Sequence, residues 1–187
     1  MNKKDLRITY KQNRNMLSDE AIAEASLLIA NQSLKLPIWD ASFFHIFLTI
    51  EHLREVDTQP LIGIFFGRDK HVVVPKSNIL TCEMSHFLLQ DNTVIKPNLW
   101  NIPEPLDGIE IDAKTIEVVF VPLLAFDASG HRVGYGKGFY DGFLKQCPSA
   151  VKIGLSFFDA ESKIDDIQPN DVALDYCITP HRIFQFD

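Results

Sequence analysis

The sequence has little cysteine, no long apolar run and too little positive charge to balance its negative. Its three cysteines, Cys82, Cys147 and Cys177, are odd in number, far apart and free of any CxxC spacing. That excludes a disulfide framework and a cysteine zinc site, and predicts three reduced core residues. No stretch approaches the roughly 18 apolar residues of a membrane span. The opening MNKKDLRITYKQNR also lacks the apolar centre of a signal peptide, so a cytoplasmic chain with no membrane partner is expected. Eighteen Lys and Arg against 25 Asp and Glu leave a net charge of −7. An extended basic surface for nucleic acid is therefore excluded, and any anionic ligand must be met locally. None of the six histidines stands in HExxH or another metal spacing, and they are assigned no chemistry. There is no internal repeat and no low-complexity tract.

What is present suits one domain over residues 1–187, with 46% hydrophobic residues to build a core. The scarce positive charge is concentrated at the start, where Lys3, Lys4, Arg7, Lys11 and Arg14 face Asp5 alone. At helical pitch Lys3, Arg7, Lys11 and Arg14 fall within an arc of about 80°, with Leu6, Tyr10 and Leu17 beside them, which predicts an amphipathic helix. Ser18 offers an N-cap to a second helix, apolar at Ile22, Ala25, Leu28 and Ile29 and closed before Pro37. Short β-rich runs follow at 43–49, 72–75, 117–122, 151–157 and 176–179, alternating with helical patterns at 58–67 and 139–147. Such alternation predicts an α/β fold with a mostly parallel sheet covered on both faces. The prolines of KPNLWNIPEPLDG (96–108) predict a loop without regular structure.

One stretch stands apart. FDASGHRVGYGKGFYDGF (126–143) holds five of the nine glycines, directly after the predicted strand 117–122. In an open parallel sheet that is where ligands collect. Gly134, Gly136 and Gly138 alternate with Tyr135 and Lys137, so backbone N–H groups can turn to one point without Cβ obstruction. With Arg132, Lys137 and the helix that starts near Phe139, this predicts a phosphate cradle. It is neither of the common nucleotide fingerprints: His131 and Gly138 break a P-loop, and Phe139 breaks a dinucleotide motif. Asp141, one turn into the helix, is placed to ligate Mg²⁺ beside phosphate oxygens. A glycine-rich turn with two solvated bases and a helix-terminal aspartate is the bland alternative.

The segment 122–141 resembles the signature of the 5-formyltetrahydrofolate cyclo-ligases, or methenyltetrahydrofolate synthetases, P-x-x-x-F-D-x-x-G-x-R-x-G-x-G-x-G-x-Y-D. The resemblance extends over nearly the whole chain. Lys3, Leu6 and Arg7 meet K-x-x-L-R; Glu55, Val56 and Thr58 meet E-[IV]-x-T; Trp100 to Pro105 meet W-x-I-P-x-P; Asn170, Asp171 and Asp175 meet N-D-x-x-x-D. Leu123 stands where the family commonly has glycine, and Phe139-Tyr140 where it has two tyrosines.

The resemblance implies ATP- and Mg²⁺-dependent cyclisation of 5-formyltetrahydrofolate, free or polyglutamylated, to 5,10-methenyltetrahydrofolate. It also implies a monomer on a three-layer α/β fold of the type shared with sugar-phosphate isomerases and CoA-transferases. By the same resemblance Lys3, Lys4, Arg7, Arg132, Gly134, Tyr135, Gly136, Lys137, Gly138, Phe139 and Tyr140 hold ATP. Arg132 and Lys137 would act in catalysis, and Asp141 and Asp171 would ligate Mg²⁺. Glu55 would pair with the donor edge of the pterin, and Trp100, Phe126 and Tyr140 are the aromatic candidates for stacking on it. An isomerase or CoA-transferase-like enzyme, and a non-catalytic nucleotide- or folate-binding module, are the rival readings.

Overall fold

Side chains of the apolar runs divide between two cores with the two-residue period of a strand. Val118 and Phe120 pack into one core and Val119 and Val121 into the other, all essentially buried. The computed structural model describes residues 1–186. The first half contains α1 (Lys3–Asn15), α2 (Asp19–Ser33), β1 (Phe43–Ile46), α3 (Gln59–Gly67), β2 (His71–Asn78) and β3 (Glu83–Leu88). After it come β4 (Ile95–Pro97), β5 (Pro103–Pro105), β6 (Val118–Pro122), β7 (Ala125–Phe126), β8 (Arg132–Val133) and α4 (Phe139–Leu144). The chain closes with β9 (Val151–Leu155), β10 (Tyr176–Ile178) and β11 (Ile183–Gln185).

Seven strands form one sheet in the order β11-β10-β9-β6-β1-β2-β3. The five inner strands are parallel, as predicted, while β3 and β11 add antiparallel edges. Helices α2 and α3 cover one face through Ile29, Ala30, Leu61 and Phe65. Phe44, Phe65 and Phe120 meet there with ring centroids 5.0 and 5.2 Å apart. Truncating any of the three to alanine costs about 3–5 kcal/mol. The other face carries α4, through Phe143 and Leu144, and the chain that leaves β6. Leu123 packs there over Gly154, where a Cβ would stand 2.5 Å from Leu123 Cδ2.

Four sequence expectations are corrected. Helix α2 begins on its Ser18 cap, but its buried side is Ser26, Ile29, Ala30 and Ser33, and Leu28 is exposed. The face is turned because Ser26 Oγ accepts the Asp57 N–H (2.9 Å) and Ser33 Oγ donates to the Ala30 carbonyl (2.6 Å). Helix α4 stops at Leu144 after six residues. Cys82 is exposed at the β2–β3 turn with φ +58°, whereas Cys147 and Cys177 are buried. The proline-rich loop contains a β4–β5 hairpin in which Pro97 faces Pro103 and Ile95 faces Pro105. Its flanking bonds come from non-proline donors, Asn98 N–H to the Ile102 carbonyl (2.9 Å) and Leu106 N–H to the Val94 carbonyl (3.0 Å).

The β7–β8 hairpin shows what the first half of the glycine-rich stretch does. Asp127 Oδ1 accepts the N–H groups of Ser129 and His131 (both 3.0 Å), and Oδ2 accepts that of Ile164 (3.0 Å). Gly130 sits at φ +80°, where a Cβ would lie 2.8 Å from Phe186 Cγ and 2.9 Å from the Leu174 carbonyl oxygen. Gly130→Ala therefore combines a left-handed backbone with a clash, and should lower unfolding free energy by about 2–5 kcal/mol in urea titration. Gly134→Ala, with no atom within 4 Å of its Cβ, should stay within about 1 kcal/mol.

Candidate functional site

A cleft of about 430 Å³ opens at the carboxyl ends of the central strands. Phe47 and Leu48 after β1, Pro75 and Ser77 on β2, and Pro122 at the end of β6 form its floor. Helix α1 and the glycine-rich loop form one side, and the β4–β5 hairpin brings Trp100 to the other.

The α1 side is built from cations held against backbone and carboxylates. Asn2 caps the helix, its side chain accepting the Asp5 N–H (2.9 Å). Lys3 then pairs with Asp171, and Arg7 Nε donates to the Gly134 carbonyl (2.9 Å). Gly136 has φ +91°, and a Cβ there would lie 3.3 Å from Arg7 Cζ, so bare backbone is needed where the guanidinium passes. Gly138, at φ +76°, turns the chain into α4. That helix is only six residues long, so a phosphate bound here would depend more on loop N–H groups and cations than on a helix dipole. Lys137 is exposed, with its ammonium 5.5 Å from the Trp100 ring centroid across the mouth.

Arg132 is buried on β8. It donates to Asp141 Oδ1 (2.7 Å) and to the Val172 carbonyl. Asp141 also accepts the Val172 N–H (3.2 Å), and Asp171 accepts the Gln168 N–H (2.7 Å) besides Lys3. Burial pushes the Asp171 carboxyl upward, but the Gln168 N–H, Lys3 and Arg132 outweigh it and hold it below the usual aspartate range. Two carboxylates joined through one peptide unit are an oxygen donor set of the kind Mg²⁺ takes, which phosphate oxygens and water complete. Among the described residues no three Asp, Glu, His or Cys side chains converge, so a cation there depends on such oxygens.

The glycine-loop side also holds Glu55, 2% exposed yet lining the cleft. Its Oε2 accepts the Ile50 N–H (2.9 Å) and its Oε1 the Tyr135 hydroxyl (2.8 Å). Burial raises its pKa, opposed by the Ile50 N–H, Arg14, Tyr135 and His52. Trp100 is presented by a turn that Asn98 organises, its Oδ1 accepting the N–H groups of Trp100 (2.9 Å) and Ile102 (3.1 Å).

All the sequence-predicted site residues line this one cleft except Lys4 and Phe126. Lys4, one residue and about 100° round α1 from Lys3, is exposed and lines none of it. Phe126 is fully buried on β7 against Phe184 and Phe186 (centroids 5.0 and 6.2 Å) and cannot stack on a ligand. Tyr140 lines the cleft, but its hydroxyl is buried without a hydrogen-bond partner among the described residues.

The sequence pattern of the 5-formyltetrahydrofolate cyclo-ligase family matches residues 1–180. The chain belongs to that family. It is 30% identical over 153 residues to the 5-formyltetrahydrofolate cyclo-ligase of Mus musculus, covering 78% of this chain and 74% of that one. To the probable cyclo-ligase of Schizosaccharomyces pombe it is 26% identical over 205 residues, covering 99% and 98%. The solution structure of Aquifex aeolicus 5,10-methenyltetrahydrofolate synthetase superposes with a TM-score of 0.84 at 25% identity, over 99% of this chain and 93% of that one.

Within this cyclo-ligase cleft, sequence reasoning gave no role to Lys11, His52, Met84 and Pro103, all of which line it. Lys11 shared the basic arc of Lys3 and Arg7 and could have been found that way. Met84 lies on β3, the edge strand that was not predicted.

Behind Tyr140 lies a buried histidine pair, His45 on β1 and His86 on β3, with ring centroids 5.1 Å apart and both against Phe143. None of their ring nitrogens has a hydrogen-bond partner among the described residues. Burial drives His86 down to about 4, against a smaller upward pull from Asp112, and His45 lower than the usual value as well. Both are neutral when folded, whereas the unfolded chain takes up protons below about pH 6.5. Their contribution is thus complete above that value and is lost as pH falls toward the folded pKa. Between pH 6.5 and about 4, the His86 contribution should weaken stability by about 1.4 kcal/mol per pH unit. His86→Leu should flatten the parent's slope by that amount in urea titrations at stepped pH, and equal slopes would contradict it.

Proposed function

We propose that the chain catalyses ATP- and Mg²⁺-dependent cyclisation of 5-formyltetrahydrofolate to 5,10-methenyltetrahydrofolate, releasing ADP and phosphate. The observation that carries this reading is the meeting, in one cleft, of a cationic glycine loop with two carboxylates, and of a buried acceptor carboxylate, Glu55, with an aromatic, Trp100. A sugar-phosphate isomerase on the same sheet would have a use for the first and none for the second.

The chemistry needs the formyl oxygen, a poor leaving group, to be phosphorylated. Glu55 accepts from the donor edge of the pterin while Trp100 and the apolar floor cover the ring, which directs the formyl group toward the loop. Lys3, Arg7 and the N–H groups of 134–138 receive the phosphates, and Arg132 and Lys137 meet the charge that spreads over the transferring oxygens. Asp141 and Asp171 would hold Mg²⁺, which supplies further neutralisation of phosphate charge. Once the oxygen is phosphorylated, N10 attacks the activated carbon, the C–N bond forms as the N10–H proton is released to the departing phosphate, and phosphate leaves with the former formyl oxygen. Every protein group acts by position and charge, and none becomes covalently attached.

Purified chain incubated with 5-formyltetrahydrofolate should develop the methenyl chromophore only when ATP and Mg²⁺ are both present; development without ATP would overturn the reading. Lys137 is exposed and its removal disturbs no core contact. Lys137→Ala should therefore lower kcat by about 10²-fold or more at unchanged thermal stability. A rise in the KM for ATP alone would make it a ground-state binder. Asp141→Asn should raise the Mg²⁺ concentration required for half-maximal activity, and near-normal turnover at low Mg²⁺ would remove it from the metal site.

A further inference from the structure

Arg14 lies on α1 beyond the residues that line the cleft, and it is 3% exposed. Its position on the basic arc suggests one more solvated cation. Instead its Nη1 donates to the Tyr135 hydroxyl (2.7 Å) and its Nη2 to the Leu123 carbonyl. The same hydroxyl is 2.8 Å from Glu55 Oε1. A guanidinium can only donate and a carboxylate can only accept, so the direction of this chain is fixed. Arg14 gives to Tyr135, and Tyr135 gives its one proton to Glu55.

We infer that Arg14 is a positioning residue for the folate side of the cleft, holding the Glu55 carboxylate oriented and charged through the Tyr135 hydroxyl; the inference rests on the folate reading above. With Tyr135 on Oε1 and the Ile50 N–H on Oε2, each oxygen keeps a lone pair for a ligand. That suits a planar heterocycle with two adjacent N–H donors on one edge, and a protonated carboxyl would set its own hydrogen against that edge. The groups facing Glu55 are Arg14 from α1, Tyr135 from the glycine loop, His52 from the turn after β1 and Tyr140 from α4. His52 is exposed and the two tyrosines are neutral, their ionisation pushed up by burial. Arg14 is therefore the permanent charge that opposes the desolvation of Glu55. Tyr135, buried between a cation and an anion, transmits the contact without ionising.

The test compares the parent chain with Arg14→Met, Arg14→Lys and Tyr135→Phe. Carboxyl-¹³C-labelled glutamate reports the titration of Glu55 in the ligand-free chain, its signal assigned by loss in Glu55→Gln. Arg14→Met should raise the Glu55 midpoint by about 1–3 pH units, the size of effect expected for removing an adjacent opposite charge. Arg14→Lys should restore part of the difference. Direct binding of 5-formyltetrahydrofolate should then weaken about tenfold or more in Arg14→Met at the acidic end of the range. It should recover as pH rises through the new midpoint, while ATP binding is unmoved. Tyr135→Phe keeps the ring and removes only the link, so it should raise the midpoint by a smaller amount, and it decides the matter if Arg14→Met does not fold. An unchanged Glu55 titration in the variants, or an equal pH-independent loss of both ligands, would overturn the inference. If the parent chain does not bind 5-formyltetrahydrofolate, the folate reading fails, and the ligand-free titration still judges Arg14.

Discussion

Helix α1 is fastened across the mouth of the sheet by cations as well as by oil. Leu6 and Tyr10 give it an apolar seat against Leu124, Ala125 and Val133. Along one face, at intervals of about one and then two helical turns, it also places Lys3 on Asp171, Arg7 on the Gly134 carbonyl and Arg14 on Tyr135 and the Leu123 carbonyl. These contacts fix the glycine loop and Asp171, because neither lies on a long helix or a paired strand of its own. A charge-assisted hydrogen bond contributes about 1.5–3 kcal/mol when its partners are already desolvated. Leaving one partner buried and unpaired costs more. The helix therefore holds its position because these three cations, and the carbonyls, hydroxyl and carboxylate they meet, would otherwise be left without partners.

Under the proposed function the same contacts would let an acidic chain receive a polyphosphate. Lys3 and Arg132 neutralise Asp171 and Asp141 in the ligand-free cleft. Under the proposed function a nucleotide with its cation brings charges of both signs: phosphate oxygens for the two basic groups and a metal for the two carboxylates. Binding then exchanges ion pairs and buries no unpaired charge, which limits the desolvation cost that opposes association. Nucleotide without metal, or metal without nucleotide, would meet a partner already engaged.

How much of this was legible depends on what each residue's neighbours reveal. β1, β2, β6, β9 and β10 were readable because strands buried on both faces leave continuous apolar runs. β3 was not, since only His86 among its six residues is fully buried, and its Glu83 and Ser85 imitate a loop. The β4–β5 hairpin was masked by prolines, which a short ladder tolerates where it requires no donor. Glycine spacing and cations pointed to a segment that does line the cleft, because bare backbone beside local charge stands out in the sequence. Phe126 and Arg14 misled in opposite directions, an aromatic inside a ligand-like motif that proves to be core and a cation on a polar arc that proves buried. In both cases the deciding partners, Phe184 and Phe186 or Leu123 and Tyr135, lie far away in sequence.

The chemistry proposed for the cleft turns on one oxygen atom. A cradle of cations and loop N–H groups with paired carboxylates, and with no nucleophile beside a base, suits the activation of an acceptor oxygen by phosphoryl transfer. The most direct measurement uses 5-formyltetrahydrofolate carrying ¹⁸O in the formyl group, with mass spectrometry of the phosphate released on cyclisation. Transfer of the γ-phosphoryl to the formyl oxygen requires the label to appear in inorganic phosphate, with none entering from labelled water. Unlabelled phosphate from labelled substrate would show that water cleaves ATP while cyclisation proceeds by another route, and would contradict the account.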